Sequence, residues 1–183
     1  MKPHLRFDRV SCRRGGRLLF EDLDLQLGPG EALHLTGPNG SGKSSLIRLA
    51  AGLLRAESGR IDRSALALAD EHLALDRELP LRRALAFWGG EVDRAMDALG
   101  LARLADVPVR LLSTGQAKRA RLARAMASGA PLWLLDEPLN GLDREGAQQL
   151  AAAISAHRNK GGAILAASHL PLAGDWRTLE LGR

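Results

Sequence analysis

The 183-residue sequence contains one cysteine, no tyrosine and only 3% aromatic residues. A single cysteine forms no internal disulfide and no cysteine metal cluster, which excludes a disulfide-stapled secreted domain and favours a reducing compartment. No apolar run approaches the ~18 residues that a membrane-spanning helix needs. The opening residues, MKPHLRFDRV, contain no apolar signal region. We therefore expect a cytoplasmic chain that acts peripherally if it works at a membrane.

The charge balance is mildly basic, with 26 Lys and Arg against 21 Asp and Glu and a net charge of +5. Such an excess suits a nucleotide, a nucleic acid or an anionic membrane surface. The arginines are spread along the chain without a polybasic tail, which favours a solvated surface over a nucleic-acid partner. With 45% apolar and 26% charged residues, the chain is expected to form one domain over residues 1–183.

Hydrophobic patterning predicts an α/β fold. HLRFDRV and RLLFEDLDLQL alternate as two antiparallel strands joined at Gly15 and Gly16, which predicts an N-terminal β-subdomain. The short apolar segments ALHLTG, SALALAD, PLWLLDEP and GAILAASH are typical of strands buried on both faces, hence of a mainly parallel sheet covered by helices. Residues 80–128 are helical in pattern, which predicts a helical lobe inserted into a core lobe of residues 1–79 and 129–183.

A glycine-rich loop follows the ALHLTG strand and precedes a helical segment, KSSLIRLAAGLL, with Leu46, Leu49, Ala50 and Leu53 on one face. The loop fits the P-loop pattern G-x-x-x-x-G-K-[ST] at every fixed position. Its glycines let successive N–H groups face one phosphate, the lysine supplies a charge for the β- and γ-phosphates, and the serine hydroxyl suits Mg²⁺. The predicted nucleotide-binding residues here are Gly37, Pro38, Asn39, Gly40, Ser41, Gly42, Lys43, Ser44 and Ser45.

Two adjacent carboxylates end a later apolar strand, LWLLDE. Asp136 is predicted to hold Mg²⁺ opposite Ser44, and Glu137 is predicted to act as the general base on the attacking water. We found no guanine-reading N-K-x-D motif, which argues against a small GTPase. The sequence therefore predicts a P-loop NTPase that uses Mg²⁺ and ATP.

A third motif gives the sequence a family resemblance. LSTGQ, at Leu112, Ser113, Thr114, Gly115 and Gln116, resembles the L-S-x-G-Q signature of the ABC-type ATPases. The motif order agrees over nearly the whole chain: phosphate loop, helical lobe, signature, acid pair, LNGLD and a histidine. The resemblance implies an ABC-type nucleotide-binding domain in which two copies face each other head to tail, each signature contacting the ATP of its partner.

The same resemblance assigns two further elements. Asn140, Gly141, Leu142 and Asp143 are similar to the family's dimer-contact loop, although Asp143 is also suited to cap the following helix. His169, after the AILAAS strand, would reach the γ-phosphate and attacking water. The catalytic set is thus Glu137, His169 and Lys43. The basic residues after the signature, Lys118, Arg119, Arg121 and Arg124, are expected mainly on a solvated helix face.

Two positions depart from the family pattern. Arg14 occupies the place of the aromatic residue that stacks on adenine, and its guanidinium is suited to stack on a base plane. The glutamine that normally faces Mg²⁺ and water aligns best with His72, and next best with Glu71. A solvated loop histidine is an equally good interpretation of His72.

These details narrow the resemblance to the ATP-binding subunit of the bacterial cytochrome c maturation system, a haem exporter ATPase. The text CRRGGRLLF near the start, EPLNGLD and the final RTLELG carry this similarity. It implies integral membrane subunits, a place on the cytoplasmic face of the inner membrane, and ATP hydrolysis that drives haem handling. Residues 71–85, with Arg82 and Arg83, are the expected contact surface for acidic loops of a membrane partner, and Cys12 is expected to be a packed thiol rather than a haem ligand.

Three alternatives stay open from sequence. The first is the ATPase of another ABC exporter, for lipoprotein, metal or peptide. The second is a non-transport ABC protein acting on ribosomes or DNA, which the single domain without an inserted coiled coil disfavours. The third is an inactive scaffold, which the intact Lys43, Asp136 and Glu137 disfavour.

Overall fold

The computed structural model describes residues 4–72 and 74–182. Outside these ranges lie the two termini of the predicted domain, residues 1–3 and 183, and also Leu73, which belongs to the expected contact surface. The strands are β1 (Leu5–Arg14), β2 (Arg17–Leu27), β3 (Ala32–Thr36), β4 (Ser58–Arg63), β5 (Leu66–Ala69), β6 (Leu132–Asp136), β7 (Ala163–Ala167) and β8 (Arg177–Glu180). The α-helices are α1 (Lys43–Ala51), α2 (Leu81–Ala86), α3 (Val92–Ala98), α4 (Thr114–Ala127) and α5 (Arg144–Asn159). Within these ranges no helix has the length and apolar character needed to cross a membrane.

Five strands form a parallel sheet in the order β5-β6-β7-β3-β8. The carboxyl ends of parallel strands meet at one edge, where the residues that follow β3, β6 and β7 come together. The predicted mainly parallel sheet is therefore confirmed. This edge gathers the phosphate loop, the acid pair and the histidine.

A second sheet is antiparallel, in the order β2-β1-β4. The predicted hairpin between β1 and β2 is confirmed, but β4 was not predicted. Its sequence, SGRIDR, places only Ile61 partly inward and leaves its other residues exposed. Such a strand lacks apolar alternation, so its pairing with β1 depends on tertiary contact rather than on a local pattern.

Two apolar clusters cover the two faces of the parallel sheet. Strand β6 shows why its sequence is apolar throughout: Trp133 and Leu135 join one cluster, and Leu132 and Leu134 join the other. Helix α1 packs in the second cluster through Leu46, Leu49 and Ala50, while α4 and α5 pack in the first. Helices therefore lie on both faces, as predicted.

Leu53 does not belong to the buried face of α1, and this part of the sequence prediction is wrong. The helix ends at Ala51, and Gly52 adopts a left-handed φ of 76° that caps the last turn. Leu53 follows this stop and is 66% exposed. The helical spacing of apolar residues therefore predicts buried positions only up to Gly52, which terminates the helix.

Residues 80–128 contain α2, α3, α4 and two short 3₁₀ turns, Ala102–Leu104 and Val109–Leu111. Gly89, Gly90, Gly100 and Pro108 fall between these elements. Buried side chains of α4, among them Ala120, Leu122 and Ala123, join the cluster that covers one face of the parallel sheet. The helical region is thus packed directly on the sheet.

The expected solvated basic face of α4 is wrong. Lys118 is buried, and Arg119, Arg121 and Arg124 are partly buried. Arg124 donates to the Leu68 carbonyl at 2.6 Å, and Arg121 donates to the carbonyls of Asp70 and Glu71. Arg121 and Arg124 thereby hold α4 against β5 and the segment that follows it, because a guanidinium offers several N–H donors to backbone carbonyls.

Trp88, in the helical region, contacts both Arg124 and the segment after β5. Its ring lies 4.8 Å from the Arg124 guanidinium carbon, in a cation–π arrangement, and its Nε1 donates to the Ala74 carbonyl at 3.0 Å. Trp88 therefore adds a hydrogen bond to the contacts that Arg121 makes with the segment after β5.

Candidate nucleotide site

The phosphate loop connects β3 to α1 as the sequence predicts. Gly37 has a φ of 129°, and a Cβ there would lie 2.2 Å from the Leu181 carbonyl oxygen just beyond β8. Gly42, the residue before α1, has a φ of 107° and lies against Leu19 of the hairpin. Only glycine fits this close approach, so the backbone just beyond β8 packs directly against the phosphate loop.

Lys43 is the first residue of α1 and is only 6% exposed. Its Nζ donates to the carbonyls of Gly37 at 2.7 Å and Pro38 at 3.0 Å. The ammonium is thereby held across the start of the loop. Ser41 Oγ is buried and has no hydrogen-bond partner within the described residues. An orphaned hydroxyl and a fixed cation in one glycine-rich turn suit a phosphate group.

Ser44 and Asp136 meet at the mouth of this loop. Ser44 Oγ donates to Asp136 Oδ1 at 3.2 Å. Burial raises the pKa of the Asp136 carboxyl above its ordinary value; the Ser44 hydrogen bond works in the opposite direction, and the charge of Glu137 raises it further. A hydroxyl and a buried carboxylate are hard oxygen donors of the kind Mg²⁺ prefers, so this pair fits the ion. No cluster of three or more His, Cys, Asp or Glu side chains suited to a metal occurs in the described ranges.

Glu137 and His169 also come together. His169 Nε2 lies 3.4 Å from Glu137 Oε1, and the backbone N–H of His169 donates to Oε2 at 3.3 Å. Glu137 has a left-handed φ of 47°, an unusual conformation for a residue with a side chain. The backbone turns sharply where β6 ends, which directs the Glu137 side chain towards the loop after β7.

The LSTGQ segment forms the start of α4. Ser113 is the N-cap: its Oγ accepts from the Gln116 N–H at 3.3 Å, while Gln116 Oε1 accepts from the Ser113 N–H at 2.9 Å. This reciprocal capping box explains why a serine and a glutamine stand three residues apart. Thr114 and Gly115 are the first two residues of this 14-residue helix.

The predicted dimer-contact loop lies beside the signature. A Cβ on Gly115 would lie 3.3 Å from the Gly141 carbonyl. Asp143 caps α5 by accepting from the Gly146 N–H at 2.7 Å, so the predicted capping role is confirmed. Asn140 is exposed, and Leu142 packs partly on the core. The two segments assigned to dimer contact thus form one continuous surface.

Arg14 and His72, the two positions that depart from the family pattern, are both exposed. Arg14 is exposed at the end of β1, opposite Arg17. His72 is exposed, and its Nδ1 lies 3.3 Å from Asp70 Oδ2, so its recorded side-chain partner is Asp70 rather than the acid pair. The charge of Glu71, by contrast, contributes to the raised pKa of Asp136. The roles of Arg14 and His72 stay predictions.

Lys118 is a site residue that sequence reasoning missed. Its Nζ donates to the Glu137 carbonyl at 2.7 Å from the interior of α4. The basic run after the signature offered a signal, but its regular spacing resembles that of any solvated helix face.

Comparisons with known proteins agree with this geometry. The sequence profile described as ABC transporter matches residues 20–140. A protein of Sphingopyxis alaskensis named cytochrome c biogenesis ATP-binding export protein CcmA is 59% identical over 177 residues, covering 92% of this chain and 91% of its own. The protein of the same name from Zymomonas mobilis is 54% identical, covering 94% and 81%.

Solved structures show the same fold. An ATP-binding subunit of an ABC transporter superposes with a TM-score of 0.85 at 24% identity, covering 97% of this chain and 85% of that one. A nucleotide-free ATP-binding cassette from an ABC transporter superposes with a TM-score of 0.81 at 20% identity, covering 99% and 88%. Phosphate loop, acid pair, signature and histidine occupy one edge of this shared fold, and the chain belongs to the ATP-binding proteins of ABC transporters, within the group of cytochrome c biogenesis ATP-binding export proteins.

Proposed function

We propose that the chain is the ATP-hydrolysing subunit of a membrane complex that drives haem export, or release of a haem-loaded chaperone, during cytochrome c maturation. The observation that carries the ATPase assignment is the meeting of Ser44 with Asp136 and of Glu137 with His169 at the phosphate loop. The cytochrome c assignment is supported by the names of two relatives, cytochrome c biogenesis ATP-binding export proteins that are 59% and 54% identical to this chain over the aligned residues.

Binding of ATP follows from the loop. Backbone N–H groups of Gly40 to Ser44 surround the β-phosphate, and the positive end of α1 adds to their attraction. Lys43 supplies its ammonium between the β- and γ-phosphates. Arg14 stacks on the base plane in place of an aromatic ring, and the Ser41 hydroxyl gains the partner it lacks within the described chain.

Hydrolysis uses Glu137 as the general base. Its carboxylate accepts a proton from the attacking water, whose oxygen forms a bond to the γ-phosphorus while the bond to the β–γ bridging oxygen breaks, leaving ADP and phosphate. His169, 3.4 Å from Glu137 Oε1, fixes the carboxylate and faces the γ-phosphate. Ser44 and Asp136 are the residues that would hold Mg²⁺, which would supply positive charge to the phosphate oxygens.

The working unit is a head-to-tail pair of chains. The Ser113–Gln116 cap begins α4 beside the Asn140–Asp143 loop. A helix of this length attracts a negatively charged γ-phosphate at its N-terminus. Each ATP is then clamped between the phosphate loop of one copy and the signature of the other, so that ATP closes the pair and hydrolysis reopens it.

The membrane subunits contact residues 71–85 on the cytoplasmic side of the inner membrane. Arg82 and Arg83 are exposed on α2, although Arg82 also pairs with Asp93 at 2.8 Å. Phe87, 81% exposed, extends this surface with an apolar group. Acidic loops of a membrane partner suit this combination.

Glu137→Gln tests the function because an amide cannot accept the proton. The variant is expressed in its host, supplied with Mg–ATP and gently solubilised, and the co-purifying proteins are identified; Glu145→Gln, an exposed change on α5, is the matched control. Trapped dimer together with haem-handling cytochrome c assembly proteins is expected. A different permease would overturn the haem assignment alone, whereas ribosomes or DNA without a membrane protein would overturn the transporter assignment.

A paired variant tests the contact surface. Arg82→Glu with Arg83→Glu is expected to abolish co-purification of the membrane subunits while leaving ATP binding intact. Arg60→Glu, an exposed site on β4, provides the control. Unchanged assembly in the double variant would refute this surface.

A further inference from the structure

A buried lysine joins the signature helix to the acid at which hydrolysis takes place. Lys118 is 5% exposed and lies on α4, five residues after the cap Ser113. Its Nζ donates to the backbone carbonyl of Glu137 at 2.7 Å. Burial of a lysine is costly, and burial lowers the pKa of Lys118, with the charge of Arg121 acting in the same direction. A buried ammonium aimed at a single carbonyl calls for a role beyond packing.

Glu137 needs external support because its backbone is strained. A residue with a side chain at a φ of 47° persists only where its surroundings hold it there. The Glu137 N–H donates to the Ala167 carbonyl at 2.8 Å, which ties one side of the residue to β7. Lys118 ties the other side through the carbonyl, and His169 contacts the carboxylate. Of these three supports, only Lys118 comes from the helical region.

The charges around Lys118 fit the same role. Asp136, Glu137 and Glu71 act on its ammonium and favour the charged form. In return the lysine places one positive charge beneath two adjacent carboxylates. The cation therefore reduces repulsion within the acid pair while its hydrogen bond fixes the peptide that follows Glu137.

We propose that Lys118 is a positioning residue that sets the Glu137 carboxylate for water activation and makes that setting depend on the position of α4. The inference rests on the proposed role of Glu137 as base. A rigid helix carries the signature and Lys118 about 7 Å apart along its axis, at ~1.5 Å per residue. When the signature engages the ATP held by a second copy, a shift of α4 reaches Glu137 through one hydrogen bond. Occupancy of one ATP site is thereby coupled to hydrolysis at the other.

Lys118→Met tests this idea because methionine fills similar volume without a donor or charge. Arg124→Met is the matched control: it also removes a partly buried cation of α4 that donates to a carbonyl, but at Leu68, away from the acid pair. The kcat and KM for Mg–ATP are measured on the complex isolated from membranes, together with binding of a fluorescent ATP analogue and the melting temperature. A fall in kcat of about tenfold or more is expected in K118M, since misplacing a catalytic group by ~1 Å costs up to about 100-fold. KM and analogue binding are expected to stay at wild-type values, and cooperativity in ATP to be lost.

Three outcomes separate the possibilities. A lower kcat with unchanged KM in K118M, together with wild-type kcat in R124M, supports the positioning role. Wild-type kcat and cooperativity in K118M, or equal losses in both variants, overturns it. If E137Q itself hydrolyses ATP normally, the base assignment falls instead. Should K118M fail to fold, Lys118→Arg replaces it. Retained kcat and cooperativity in K118R support the role. A lowered kcat overturns it if the melting temperature is unchanged and the arginine still donates to the Glu137 carbonyl.

Discussion

The hydroxyl of Ser44 donates a hydrogen bond to Asp136 Oδ1 across 3.2 Å, joining the first turn of α1 to the end of β6. These residues are 92 positions apart in the chain, and only the parallel sheet brings them together. Ser44 follows the loop lysine Lys43, and Asp136 precedes the proposed base Glu137, so this contact joins the phosphate loop to the acid pair. Disturbance of this pair should therefore affect catalysis more than folding.

Asp136→Asn is expected to lower ATP hydrolysis on the order of 100-fold, in line with the several kcal/mol that a metal ion contributes to such reactions. The amide keeps the volume and a partner for Ser44 but loses the charge that attracts Mg²⁺. Titration of activity against Mg²⁺ should show a higher requirement in the variant. Asp97→Asn, an exposed change on α3, is the control, and an unaltered Mg²⁺ requirement in D136N would refute the assignment.

Asp143→Ala is expected to reduce the free energy of unfolding by about 1 kcal/mol, because the side chain caps α5 through the Gly146 N–H at 2.7 Å. Asp143→Asn keeps a good capping residue and should retain most of the stability. Urea denaturation of the two variants measures the difference. If D143N loses as much stability as D143A, the charge rather than the cap stabilises this end of the helix.

Gly37→Ala is expected to abolish nucleotide binding. The added Cβ would lie 2.2 Å from the Leu181 carbonyl, and the φ of 129° is one that a side chain rarely adopts. Gly129→Ala is a control for strain without a clash, since φ is 65° there and open space surrounds the Cβ position. Binding of a fluorescent ATP analogue should be lost in G37A and kept in G129A. Equal binding in both variants would show that the close packing of the backbone just beyond β8 is dispensable.

Stability is expected to fall as pH drops below about 6.5, the ordinary histidine pKa. Burial lowers the pKa of His157, whose ring stacks on Trp133 at 3.9 Å and 11°. Above the unfolded pKa both states are neutral and the full stability is present. As pH falls towards the lower folded pKa, His157 becomes protonated in the unfolded chain but stays neutral in the folded chain. The free energy of unfolding therefore decreases.

Melting temperatures between pH 5.5 and 8 measure this dependence. His157→Phe keeps a ring on Trp133 without a titratable nitrogen and should flatten the profile. An identical slope in H157F and the wild type would assign the acid sensitivity to other groups.

Local motifs made much of the site predictable. The phosphate loop and acid pair are short segments whose chemistry demands fixed residue types, and the strands before them are continuous apolar runs. The cap at Ser113 and the cap at Asp143 are likewise encoded within four residues. The parallel sheet then followed from strands that are apolar on both faces.

What the sequence did not reveal depends on partners distant in the chain. Strand β4 is polar and forms because β1 offers it an edge. Lys118, Arg121 and Arg124 read as surface residues, since helical spacing does not show that β5 and the acid pair supply carbonyls to these cations. The contact between Lys118 and Glu137 therefore required the tertiary structure.

The Trp88–Arg124 junction gives the protein a built-in optical reporter. The indole is 45% exposed, carries a cation over its ring, and donates to Ala74 in the segment leaving β5. Indole emission responds to hydrogen bonding at the ring N–H; of the other two tryptophans, Trp133 is buried in β6 and Trp176 donates to the nearby Ala173 carbonyl. Trp88 and Arg124 both belong to the helical region, so a turn of that region relative to the sheet would leave the cation over the ring and break the Nε1 hydrogen bond to Ala74. Movement of the helical region against the sheet should therefore change the protein's own tryptophan fluorescence, without an added dye.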